Sequence, residues 1–168
     1  MIRPAIAAGL ALTLAACASA SGSSVAAHPE ARVYAATPDA MRDVDAALVR
    51  ASAHDKRVLL VMGANWCHDS RALAGWLETP RFAALVAERY ELVFVDVGVP
   101  QTGKGRNLDI AQRFGLEDLT GTPALLVLTA GGEPVNAATA TGWRNAASRS
   151  EEAIYAELAA LAQTPLAD

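Results

Sequence analysis

Residues 57–70 read RVLLVMGANWCHDS, and the fold turns on how this stretch is parsed. Arg57 to Met62 is a short, nearly continuous apolar run, the pattern of a strand buried on both faces. Gly63-Ala64-Asn65 breaks it, and Trp66 to Leu77 reads as a helix. Cys67 therefore stands where a buried strand hands over to a helix. There it faces unpaired backbone N–H groups and the positive end of the helix dipole, both of which favour a thiolate over a thiol. Ser70, three residues on, lies one turn along the same face, which places a hydroxyl donor within reach of that sulfur.

Working outward, Thr37-Pro38-Asp39 has the chemistry of a helix start, and Met41, Val44, Ala47, Leu48 and Ala51 carry the helical period to about His54. Thr79-Pro80 ends or kinks the helix after Cys67, before a second segment through Tyr90. Glu91 to Val97 is a second buried-type strand, Val99 to Arg106 a polar loop, and Asn107 to Phe114 a short helix closed by Gly115. Ala124 to Leu128 is a third strand. Gly131-Gly132 is a hairpin turn, and Pro134 to Thr139 a weaker fourth strand. Ser148 and Glu151 form a capping box that opens a last helix through Leu161. The order α-β-α-β-α-β-β-α predicts an α/β sandwich: a central mixed sheet of about four strands flanked by helices.

The N-terminal part differs in character. Residues 1–16 carry Arg3 and then an uncharged Ala/Leu-rich run too short to span a bilayer, which reads as an export signal. Leu14-Ala15-Ala16-Cys17 resembles the lipobox of bacterial lipoproteins, which implies lipidation of Cys17 as the new N-terminus. Cleavage after Ala18-Ser19-Ala20 is the alternative. Either way Cys17 is removed from disulfide chemistry and the exported part holds one cysteine. Residues 17–36 read as a flexible tether and residues 37–168 as the domain. The expected location is the cell envelope, lipid-anchored and facing the periplasm, or else soluble in the periplasm or secreted. Without residues 1–16 the chain has thirteen basic against eighteen acidic side chains, a balance that argues against nucleic acid as a partner.

The strand, the Trp66-Cys67-x-x-Ser70 pattern and the later Gly121-Thr122-Pro123 together resemble the thioredoxin superfamily over roughly residues 38–162. The resemblance implies a cis-proline loop at Pro123 that faces the cysteine. It also implies a substrate-binding role for Trp66, Thr122 and Pro123, with the backbone beside the proline pairing with an extended client. Two departures stand out. Ser70 occupies the place of the family's resolving cysteine, and Val61 the place of its buried acid, so a self-contained dithiol cycle is not expected.

Three readings of Cys67 follow. It is the nucleophile of a monothiol exchanger, with Ser70 beside it and an external thiol such as glutathione releasing client proteins. Alternatively, the chain is a redox-inactive binding or assembly module at the cell envelope that uses the groove near Trp66 and Thr122, or Cys67 is a structural leftover. His68 and Asp69 either tune the thiolate or are exposed first-turn residues, with Asp69 complementing the helix dipole. A metal site among Cys67, His68 and Asp69 is not expected, because successive helical residues point in different directions, and no cofactor is implied. Trp76 and Trp143 read as packing residues, Gly103-Lys104-Gly105 as a turn, and neither His28 nor His54 is assigned a function.

Overall fold

A computed structural model describes residues 28–37 and 39–165. The signal segment and Cys17 lie outside the described residues. Helix α1 spans Ala40–His54, strand β1 Arg57–Gly63, helix α2 His68–Glu78, helix α3 Pro80–Arg89 and strand β2 Tyr90–Asp96. Two short strands, β3 (Gly98–Val99) and β4 (Lys104–Gly105), flank a 3-10 turn at Pro100–Thr102. Helix α4 (Leu108–Arg113) and strand β5 (Ala124–Leu128) follow, then two 3-10 segments, Ala137–Trp143 and Ala146–Ser148, and helix α5 (Glu151–Leu161).

The main sheet has the order β2-β1-β5. β1 runs parallel to β2, with Leu60 opposite Val93, and antiparallel to β5, with Leu60 opposite Leu126. The apolar run in β1 is explained by its two faces, since successive side chains of a strand point to opposite sides. Val58, Leu60 and Met62 pack with Val44, Ala47, Ala51, Ile110 and Phe114. Leu59 and Val61 pack on the other side with Leu73, Leu77, Phe82, Trp143, Ile154 and Leu158. Covered on both faces, the stretch Val58–Met62 has no position left for a polar residue.

The structure corrects three expectations. The main sheet has three strands, not about four: the return after Gly132 makes a single antiparallel bridge, Leu128 with Pro134, closed by the Val135 N–H on the Val127 carbonyl at 2.8 Å and the Thr129 N–H on the Glu133 carbonyl at 2.9 Å. Asn136 then replaces the missing strand with its side chain. Its Oδ1 accepts the Val127 N–H at 2.8 Å and its Nδ2 donates to the Leu125 carbonyl at 3.0 Å. One amide thus satisfies a donor and an acceptor on the outer edge of β5, as a neighbouring peptide group would.

The last helix is capped by Ser150, whose Oγ accepts the Ala153 N–H at 3.2 Å, and not by Ser148, whose hydroxyl donates to the Asn145 carbonyl. The helix pair breaks cleanly at Thr79, which is extended (φ −69°, ψ 150°) and closes α2 through its N–H and hydroxyl on the Trp76 carbonyl.

The third correction concerns residues 28–36. This part of the expected tether lies against the domain: Tyr34 is 3 % exposed, and the Ala31 N–H donates to the Arg71 carbonyl at 3.0 Å. Two glycines, Gly63 and Gly75, make room for it. A Cβ on Gly63 would stand 2.5 Å from Tyr34 Cζ. No helix among the described residues is long and apolar enough to cross a membrane.

Candidate active site

β1 ends at Gly63, and the loop Ala64–Trp66 delivers Cys67 as the N-cap residue of α2, with extended backbone (φ −81°, ψ 125°). An N-cap position is where orphan helix N–H groups are concentrated. Arg71, one turn into α2, braces the loop by donating through Nη1 to the Asn65 and Trp66 carbonyls, each at 3.1 Å. Arg32 from the N-terminal segment donates to the same Asn65 carbonyl at 3.1 Å.

Cys67 is 8 % exposed and is the free cysteine among the described residues. Its Sγ donates to the Thr122 carbonyl at 3.3 Å, and the Thr122-Pro123 peptide bond is cis. Residues 55 positions apart are thus brought together at the point where the chain enters β5. Thr122 itself is buried, and its hydroxyl has no hydrogen-bond partner. Ser70 is fully buried and its Oγ is likewise unpartnered, so the expected bond from this hydroxyl to the sulfur is not formed while Sγ donates to Thr122. Trp66 is half-exposed, and its ring is pinned by a 2.8 Å bond from Nε1 to the Gly98 carbonyl. Gly98 is required there: its φ is +63°, and a Cβ would meet the Lys104 carbonyl oxygen at 2.6 Å.

A family model described as thioredoxin-like matches residues 39–130, more than half of the chain. The chain belongs to the thioredoxin-like family. The crystal structure of a disulphide isomerase from Xylella fastidiosa Temecula1 is similar to it at 33 % identity, with a TM-score of 0.71. That match covers 79 % of this chain and 98 % of the other. No curated protein matches the chain.

Within this thioredoxin-like frame, Trp66, Cys67, Thr122 and Pro123 gather at one place, and Ser70 lies beneath it in the core. Asp69 turns away: its Oδ1 accepts the Ala147 N–H at 2.9 Å and so anchors the Ala146–Ser148 segment to α2. His68 faces the N-terminal segment, with Nδ1 2.9 Å from Glu30 Oε1 and Nε2 3.1 Å from His28 Nε2. Neither side chain hydrogen-bonds the sulfur; each is engaged elsewhere.

Several contributors were not singled out by sequence reasoning. Tyr34 donates its hydroxyl to the Ser70 carbonyl at 3.3 Å. Burial pushes its phenol far above the ordinary value, and the nearby Cys67 adds in the same direction, so Tyr34 stays a protonated donor. Asn65 and Gly98 hold the loop and the tryptophan. Glu30 bridges His68 and Arg71, and the hydrogen bond from Arg71 holds its carboxyl below the ordinary value against an upward push from burial. A lone tyrosine in an otherwise small and polar stretch was the available signal for the first of these.

Proposed function

We propose that the protein performs monothiol thiol–disulfide exchange with Cys67 as the nucleophile. The observation that carries this is the placement of Cys67 Sγ at the start of α2 and against the Thr122 carbonyl, in a chain similar to a disulphide isomerase. Cys67 gives up its proton and its bond to Thr122, and the thiolate attacks one sulfur of a client disulfide. The client S–S bond breaks, a Cys67–client S–S bond forms, and the other client sulfur leaves as a thiolate that takes up a proton. A second thiolate then attacks the client-side sulfur, and Cys67 leaves as a thiolate. When the second thiolate belongs to the client, the net change is isomerisation and no electrons are consumed. When it is a small thiol such as glutathione, the mixed disulfide passes to that thiol.

The unpartnered Ser70 hydroxyl is a donor left free to turn to the thiolate once the bond to Thr122 is released. Trp66, half-exposed beside the sulfur, and the Thr122-Pro123 backbone receive an extended client segment. In this reading the chain acts at the cell envelope, held by a lipid on Cys17, where client proteins and small thiols reach it and nucleic acid plays no part. His68 and Asp69, engaged with Glu30 and Ala147, set the first turn of α2 and do not contact the sulfur.

The test is capture of client proteins as mixed disulfides. The native chain is expected to form reducible adducts with a disulfide-bonded client, and Cys67→Ala to form none. Equal capture by Cys67→Ala would discard the proposal. Absence of any adduct from the native chain would leave the binding-module reading in its place.

A further inference from the structure

His28 and His68 are forty positions apart, yet their rings meet edge to face, with centroids 4.6 Å apart and planes at 65°. The atoms in contact are the two Nε2 nitrogens, at 3.1 Å. The carboxylate beside His68 assigns the proton on that ring. His68 Nδ1 lies 2.9 Å from Glu30 Oε1, and the second oxygen of that carboxylate is occupied by Arg71 Nε at 2.8 Å. A carboxylate only accepts, so His68 Nδ1 carries the hydrogen. His28 Nδ1 lies 3.4 Å from the Pro29 carbonyl oxygen, again an acceptor. His68 Nε2 is therefore a lone-pair acceptor beside His28 Nε2, and in the His28 tautomer with its hydrogen on Nδ1 the two Nε2 atoms offer a metal ion two lone pairs 3.1 Å apart.

We propose that His28 and His68 bind a divalent metal ion of the zinc–copper class through their Nε2 atoms, with Glu30 orienting His68 from behind. Imidazole is a preferred ligand for zinc, copper and nickel. Two metal–nitrogen bonds of about 2.0–2.1 Å at a tetrahedral angle place the nitrogens roughly 3.3 Å apart. The observed separation differs from that by a few tenths of an ångström. The Glu30–His68 pair has the carboxylate–histidine arrangement that fixes the tautomer and orientation of metal-ligating imidazoles. Both rings line one open groove of about 540 Å³, which leaves room for water or a client side chain to complete the coordination. Asp69 and Arg144 line the same groove; Asp69 is committed to the Ala147 N–H, and the charge of Glu30 is shared with Arg71.

The reasoning from α2 alone gave no metal site because the second imidazole comes from the N-terminal segment. The bound ion staples that segment to the first turn of α2, one residue from Cys67.

The experiment is calorimetric titration of the full chain with zinc chloride near neutral pH, in parallel with the Cys67→Ala variant to remove the thiol beside His68 as a ligand. One zinc per chain is expected in both. His28→Ala and His68→Ala should each weaken binding at least tenfold, and Glu30→Gln by about 10–100-fold. His54→Ala, which removes the chain's other histidine, should leave it unchanged. Zinc should also raise the Tm of the native chain and of His54→Ala but not of His28→Ala, which separates a lost site from a lost fold. Copper(II) should bind more tightly than zinc. No binding by the native chain, undiminished binding in both ligand variants, or dependence on Cys67 or His54 would overturn the proposal. A proton alone between the rings would show as the first of these.

Discussion

The side-chain amide of Asn65 grips the backbone of Tyr34 at both ends: Oδ1 accepts the Tyr34 N–H at 3.2 Å, and Nδ2 donates to the Tyr34 carbonyl at 2.8 Å. Asn65 stands two residues before Cys67, so the same side chain that fixes the N-terminal segment also shapes the loop that delivers the sulfur. Tyr34 completes the tie from the other side, with its ring against Gly63 and its hydroxyl on the Ser70 carbonyl.

Asn65→Ala removes both bonds and leaves the Tyr34 backbone polar groups without partners. The expected loss of stability is about 1–3 kcal/mol. Denaturant unfolding of the two proteins measures it, and faster amide exchange across residues 31–35 should accompany it. An unchanged unfolding midpoint would mean that this grip contributes nothing.

Gly75→Ala reverses the usual sign of a helix substitution. Alanine in a helix interior is ordinarily favoured over glycine by roughly 0.5–1 kcal/mol. In α2, however, a Cβ at position 75 would stand 2.4 Å from the Pro29 carbonyl carbon and oxygen. The backbone of the N-terminal segment must then shift, so the variant is expected to be less stable than the native chain. A higher Tm for Gly75→Ala would show that residues 28–36 do not pack as described.

The parts of the fold legible in the sequence were those written locally. The run from Arg57 to Met62, the break at Gly63 and the thiol at the following helix start specify β1, the loop and α2 without reference to anything distant. Thr122-Pro123 was found because a motif, not a period, marks it. Contacts between distant segments were not legible. Residues 28–36 have no apolar period, and only Tyr34, with Gly63 and Gly75 as its distant counterparts, hinted at burial. Gly131-Gly132 marks the turn after β5, but an asparagine side chain that stands in for a strand leaves no trace in hydrophobic alternation. Nothing in the sequence around His28 points to His68, forty residues away on α2.

Asn136→Ala removes that stand-in. The Val127 N–H and Leu125 carbonyl, both on a fully buried strand, would lose their partners. Two orphaned buried groups should cost at least about 2 kcal/mol in denaturant unfolding. Asn136→Asp, which keeps the acceptor for Val127 and loses the donor to Leu125, should also destabilise. If both variants unfold at the native midpoint, this edge of β5 is satisfied by other means.

Ser70→Cys places a second thiol one turn after Cys67, at a site where the native hydroxyl makes no hydrogen bond that would be lost. Oxidation of the folded variant should close a disulfide between Cys67 and the introduced thiol, read as the disappearance of two alkylatable thiols. It should also confer dithiol turnover on a reducible client. Both depend on the two Cβ atoms lying at disulfide spacing. If the folded variant keeps both thiols under oxidant, the first turn of α2 does not bring these positions within reach.

The acid sensitivity of the fold has an identifiable source in Glu91, at the start of β2. Arg50 Nε donates to its Oε2 at 2.8 Å, and His54 Nδ1 and Lys56 Nζ lie 3.3 and 3.6 Å from its Oε1. The Arg50 hydrogen bond is the largest influence, and with His54 and Lys56 it holds the carboxyl below its ordinary value of 4.5, against the upward push of burial. A carboxyl whose value is lower in the folded than in the unfolded chain binds its proton more readily after unfolding. Its contribution is therefore complete above the unfolded value and is lost as pH falls through the folded one. Glu91→Gln should be less stable than the native chain near neutral pH, by less than about 1 kcal/mol because Arg50 and His54 are about half-exposed. The gap between the two proteins should close on acidification and shrink in high salt. Parallel stability curves from neutral to acid pH would show instead that the charge at Glu91 is immaterial and that its aliphatic stem alone ties α1 to β2.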